Sequence, residues 1–251
     1  MLSGCTQAPA PIFGPQDPSL AWPPAPLPAR IRYVGQLSGA ADLKPPPKLF
    51  QALGDLFAGP AKPQTLYGPR AVVCTPDGER VWVADPGGRC VHLFNLQDRS
   101  YKKIERIGGA PLLAPVGLCL GPEGSIYLCD AQAPAVYRLS AHDGALLQTL
   151  RLPEDILRPV ALSWDPKGSR LFVVDVKAHD LKVLGADGRL GQIIGQRGSG
   201  PGEFNFPCDL ADDGDRLWIV DTGNARVQAV EYTGEPVTSF GRMGDAPGDL
   251  A

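Results

Sequence analysis

Four stretches decide the fold: Val81-Trp82-Val83-Ala84-Asp85, Ile126-Tyr127-Leu128-Cys129-Asp130, Leu171-Phe172-Val173-Val174-Asp175 and Leu217-Trp218-Ile219-Val220-Asp221. Each is a short apolar run, mostly β-branched or aromatic, that ends in aspartate, which is a strand signature. The aspartates lie 45, 45 and 46 residues apart, and a proline opens each unit at Pro69, Pro115, Pro159 and Pro207. Spacing this regular marks an internal repeat and takes precedence over any local reading of secondary structure.

Within a unit the turns divide the chain into four strands. In the third unit Val160–Trp164 leads through Asp165-Pro166-Lys167-Gly168 to Leu171–Asp175, then to Leu181–Leu184, Asp187-Gly188 and Leu190–Gln196. The fourth unit runs the same way, from Asp209–Ala211 to Leu217–Asp221, Val227–Tyr232 and Pro236–Arg242. Turn dipeptides between β-rich runs signal hairpins. Four antiparallel strands in about 45 residues make one blade of a β-propeller. The fold class is therefore all-β, with blades expected near 66–109, 110–153, 154–198 and 199–243 inside a domain spanning 30–251.

The wording of the fourth unit resembles the NHL-repeat propellers. It reads Gly198-Ser199-Gly200-Pro201-Gly202-Glu203-Phe204, then Phe206-Pro207, then Asp221-Thr222-Gly223-Asn224-Ala225-Arg226-Val227-Gln228, and closes on Ser239-Phe240-Gly241. The second and third units keep the strands but replace Asn224 and Arg226. The resemblance implies a six-bladed ring, so the chain reads as a fragment with about two blades missing. Gly244–Leu250 repeats the lead-in at Gly198–Phe204, as if a fifth blade were beginning. Ile31-Arg32-Tyr33-Val34-Gly35 matches Val237–Gly241 and is expected to serve as a closing outer strand. Leu49, Phe50, Leu53, Leu56 and Phe57 form an apolar stripe after Pro47, which predicts a short helix near 47–58.

Composition divides in the same places. The chain has 251 residues, 43% hydrophobic and 20% charged, with a net charge of −3, 30 glycines and 27 prolines. Eight prolines crowd positions 9–28, where fixed φ and missing donors favour an extended spacer over a helix or central strand. Before them stands Leu2-Ser3-Gly4-Cys5, which resembles a bacterial lipobox with Cys5 as the lipidation site. Residues 1–29 are thus read as a lipobox-like start and tether. This places the protein in the bacterial cell envelope, lipid-anchored and facing the periplasm or exterior. Only Met1 precedes the box, far short of the apolar region an export signal needs.

The recurrent Asp85, Asp130, Asp175 and Asp221 could be imagined as a ring of cation ligands. Asp at a strand end more often accepts local backbone N–H groups, and that structural reading is preferred. Trp82, Tyr127, Phe172 and Trp218 share one position, three before the Asp, and are read as the layer between blades. The cysteines lack a CxxC pair and the three histidines, His92, His142 and His179, fall at non-equivalent positions. No metal site, catalytic residue or cofactor is assigned.

The lead-in loops and the loops after each Asp should share one face around the channel. Arg70, Arg89, His179, Arg197, Glu203, Asn224 and Arg226 are the candidate binding residues there. A protein, peptide or glycan is the expected partner of such a mouth, and the membrane is met through the lipid anchor alone. The alternative is a propeller enzyme, a metal-dependent lyase or a lactonase-like hydrolase. Nucleic acid is not expected, because the chain is slightly acidic.

Overall fold

The computed structural model describes residues 11–13, 19–24, 26–43, 64–150, 152–154 and 156–244. The helix expected near 47–58, Cys5 and the lead-in at 245–250 lie outside them. The chain divides into two compact units, one reaching Leu66 and including Phe94–Tyr101, the other comprising Tyr67–Leu93 and Lys102 onward.

Described by itself, the first unit contains a small antiparallel pair, Ala21–Trp22 against Ile31–Arg32, and a 3-10 turn at Ala40–Leu43. Asp42 caps that turn by accepting the Gly39 N–H at 3.0 Å. The pairing corrects one expectation. Ile31–Arg32 was expected to act as a blade's outer strand, yet it pairs with Ala21–Trp22, only a short loop away. A nearby partner costs less loop-closure entropy than a distant one.

Four sheets of four strands follow along the chain. The first is Ala71–Cys74, Arg80–Asp85, Cys90–Asn95 and Tyr101–Ile104; the second Pro115–Leu120, Ser125–Asp130, Ala135–Ser140 and Leu146–Leu150. The third is Pro159–Asp165, Arg170–Asp175, Asp180–Gly185 and Leu190–Ile194; the fourth Pro207–Asp212, Leu217–Asp221, Arg226–Val230 and Pro236–Phe240. In each sheet the strands lie in chain order, so every connection is a hairpin. The repeat read from the sequence is thus four four-stranded antiparallel blades, and among the described residues there is no α-helix.

Side-chain alternation explains which strands are buried. The second strand of each of the first three blades is almost wholly buried, whereas the outermost strand of the fourth is exposed throughout. The aromatic position three before each Asp fills the space between neighbouring blades. Trp82 donates its indole N–H to the Ala141 carbonyl at 3.1 Å. Tyr127 meets Trp164 at 5.5 Å and Phe172 stacks on Tyr232 at 5.5 Å. Trp218, in the last described blade, stays half-buried against Phe240 and bonds Asp213. Sequence position had placed it in the core with the others.

Candidate functional site

The innermost strands converge on one cavity of about 620 Å³, lined by Pro69–Val72, Val116–Leu118, Val160–Leu162 and Cys208–Leu210. All four blades contribute an equivalent segment. Aligned by strand pairing, Ala71, Gly117, Ala161 and Asp209 each stand opposite the residue before a blade aspartate. Three of these are small, which keeps the wall open, and the fourth is a carboxylate. With Arg70 and Asp209 both exposed, the wall carries one charge of each sign among residues that are otherwise uncharged.

The blade aspartates do not face that cavity. Asp85, Asp130, Asp175 and Asp221 are fully buried. Asp130 accepts N–H groups from Leu113 and Ala114 in its blade's lead-in, at 2.7 and 3.0 Å, and from Gln132 and Ala133 just beyond it. Asp175 repeats this with Leu157, Arg158, Lys177 and Ala178. Each carboxylate therefore does more than close its own turn. It ties the loop arriving from the preceding segment to the end of the second strand, and its lone pairs are occupied by that work.

Asp85 differs in its neighbours. It accepts from Tyr67, Gly68 and Gly88, and its Oδ2 lies 3.2 Å from His92 Nε2, which lies 3.2 Å from Cys90 Sγ. Among the described residues this trio is the group of His, Cys and acidic side chains close enough to share an ion. Its carboxylate is already saturated by backbone donors and all three residues are buried. Burial alone would raise the Asp85 carboxyl, but the hydrogen bonds from Tyr67, Gly88, Gly68 and His92 outweigh it and hold it below the ordinary carboxylate value. Burial lowers the His92 imidazole despite Asp85, and pushes the Cys90 thiol up to about 11. The trio is neutral apart from Asp85 and reads as blade packing.

The seven residues singled out from the sequence fall into two groups. Arg70, Arg89 and Arg197 are exposed, and Arg70 lines the cavity. Glu203, Asn224 and Arg226 are brought together, on the framework of their own blade. Asn224 Nδ2 and Arg226 Nε both donate to Asp221 Oδ2 at 2.8 Å. Arg226 Nη2 also donates to the Gly200 and Glu203 carbonyls, and Asn224 to the Gly198 carbonyl. The Glu203 carboxylate accepts from Gln196 and the Gly200 N–H, which hold its pKa low. The motif that carries the resemblance thus staples the Gly198–Phe204 loop to Asp221. His179 likewise accepts the Phe206 N–H at 3.0 Å and packs on that ring. Asp209 and Cys208 were missed; only alignment through the β-bulge between Pro207 and Asp209 reveals that position.

No family model matches the chain. A curated protein, NHL repeat-containing protein 2 of Bos taurus, is 24% identical over half of this chain and 22% of its own length. The blade pattern and this likeness agree. The chain has a β-propeller fold and is similar over half its length to an NHL-repeat protein. Solved propellers share the fold. A virginiamycin B lyase from Staphylococcus aureus, solved in a catalytically inactive form with quinupristin, superposes with a TM-score of 0.58 at 17% identity, covering 74% of this chain and 60% of that one. The nidogen/laminin complex gives 0.57 at 18% identity, covering 72% and 68%, and a streptogramin B lyase 0.54 at 18%, covering 69% and 54%. The chain therefore spans under a quarter of this curated relative and just over half of the lyase chains.

Proposed function

We propose that this NHL-type propeller is a non-catalytic recognition module that binds a protein or peptide segment at its central cavity. The observation that carries the reading is the cavity itself. Four equivalent strands open a space of about 620 Å³ walled by small and apolar residues, with Arg70 and Asp209 as opposite charges. A concave site that combines exposed backbone polar groups with one charge of each sign suits an extended ligand bearing both charges. The nidogen/laminin complex, a protein assembly with the same fold, is consistent with a protein partner. The lipobox-like Leu2–Cys5 and the proline-rich stretch after it support a module tethered to a bacterial envelope through Cys5.

The second reading is an enzyme, favoured by the fold shared with two streptogramin-type lyases. Metal-assisted chemistry would need ligands converging on the cavity, and His92, His142 and His179 all lie away from its lining. Peptide-display selection on the full chain separates the readings. Selected peptides should lose at least about tenfold in affinity with Arg70→Glu or Asp209→Arg, and none with Arg189→Glu on an exposed turn. Peptides that bind all three variants equally, or cleavage of quinupristin by the wild-type chain, would overturn the recognition reading.

A further inference from the structure

In three of the four blades the lead-in meets the blade aspartate in the same way. The N–H groups of Gly68, Ala114 and Arg158 donate to Oδ1 of Asp85, Asp130 and Asp175, at 3.0, 3.0 and 3.1 Å. Phe206 holds that position in the fourth blade and departs from the pattern. Asp221 Oδ2 is taken by Asn224 and Arg226, and the Phe206 N–H turns instead to His179 Nδ1 on the third blade, at 3.0 Å. The diverted backbone has a φ of +51°, a left-handed conformation that a bulky side chain rarely adopts. Its ring packs on His179, with centroids 4.5 Å apart, and stays 51% exposed. Strain of this kind concentrates at ligand clamps and active sites.

Two cations stand beside this ring. The Arg158 and Lys177 N–H groups donate to the same Asp175 oxygen, at 3.1 and 3.0 Å, so the two residues lie side by side. Lys177 is two residues before His179, on which Phe206 rests, and Arg158 is two before Val160 on the cavity wall. Both are exposed, and neither side chain pairs with an acid among the described residues. The equivalent residues of the other blades, Gly68 with Gly87 and Ala114 with Gln132, carry no charge. The patch is therefore confined to the rim of the third and fourth blades.

We infer that this rim docks an acidic segment of a protein partner, with an apolar or aromatic side chain resting on Phe206 and flanking carboxylates meeting Arg158 and Lys177. The inference rests on the recognition reading above and names the part of the partner that crosses the cavity's edge. Aromatic and arginine side chains are the commonest anchors of protein contacts. Two unpaired cations on a chain of net charge −3 select for the opposite sign. Nucleic acid would meet the same cations, but Asp209 on the cavity wall opposes a phosphate backbone.

Titration of the full chain with a blocked pentapeptide, phenylalanine flanked by two glutamates on each side, tests the rim by amide NMR. Saturable shifts are expected at Lys177, Ala178 and Phe206. Arg158→Glu and Lys177→Glu, both at exposed side chains, should each weaken the peptide at least about fivefold. Phe206→Ala should do the same, and Phe206→Tyr should keep the affinity. Arg189→Glu, on a turn at the other end of the third blade, should change nothing. No saturable shift at those three residues would overturn the inference. So would wild-type affinity in both charge reversals, or equal binding of the peptide with lysine in place of glutamate or of an oligothymidylate. The pentapeptide carries no positive charge and makes no call on Asp209, so its failure leaves the cavity reading standing. Failure of that reading shows instead as display-selected peptides indifferent to Arg70 and Asp209.

Discussion

Asp175 shows what a single repeated residue contributes. Its carboxylate takes four backbone N–H groups from two separate loops, all in a site closed to water. Asparagine has one acceptor oxygen and turns its NH₂ toward donors that need an acceptor. Asp175→Asn should therefore cost about 2–4 kcal/mol in urea unfolding, whereas Asp187→Asn on an exposed turn should stay within about 0.5 kcal/mol. His92 makes stability respond to pH. Its pKa is lower folded than unfolded, so the unfolded chain binds more protons as pH falls. The neutral-imidazole contribution is complete above about pH 6.5 and is lost below it, toward the folded pKa. The depressed Asp85 carboxyl adds a loss in the same direction nearer pH 4, as pH falls through its folded value. His92→Phe should flatten the thermal midpoint between about pH 6.5 and 5; an unchanged slope would assign that dependence to another group.

The strands were the most legible elements. The third-blade strands read from the sequence end within two residues of those in the structure, because hairpin turns such as Asp187-Gly188 fix both ends locally. The inner-strand register was not legible, since the bulge between Pro207 and Asp209 moves Asp209 onto the cavity wall and leaves no mark in composition. Ile31–Arg32 was misassigned for a related reason. Its side-chain pattern suits any exposed edge, and pairing with Ala21–Trp22 depends on which partner lies nearest. Of the seven candidate residues Arg70 alone lines the cavity, and Asn224 and Arg226 look like exposed loop residues until their donors are traced to Asp221. Inner strands also pack closely. A Cβ on Gly117 would come within 2.7 Å of Cys129 Sγ and 3.0 Å of the Val160 carbonyl. Gly117→Ala should therefore lower stability by about 1–3 kcal/mol by forcing the second and third blades apart. A denaturant midpoint equal to wild type would contradict that packing.

At the scale of the blade unit, one 45-residue period accounts for the fold, the cavity and the departures from symmetry. Buried aspartates fasten each lead-in, aromatic residues fill the layers between blades, and the inner strands, relieved of large side chains, open the central space. The proposed recognition falls to the positions where the blades differ, Arg70 and Asp209 in the cavity. Amide hydrogen exchange on the full chain tests this most directly, because it reports how well each strand is held. Four separate maxima of protection are expected, at Arg80–Asp85, Ser125–Asp130, Arg170–Asp175 and Leu217–Asp221, with Pro236–Phe240 and the other outer strands exchanging fastest. Protection confined to one contiguous segment, or outer strands as slow as second strands, would contradict the four-blade account.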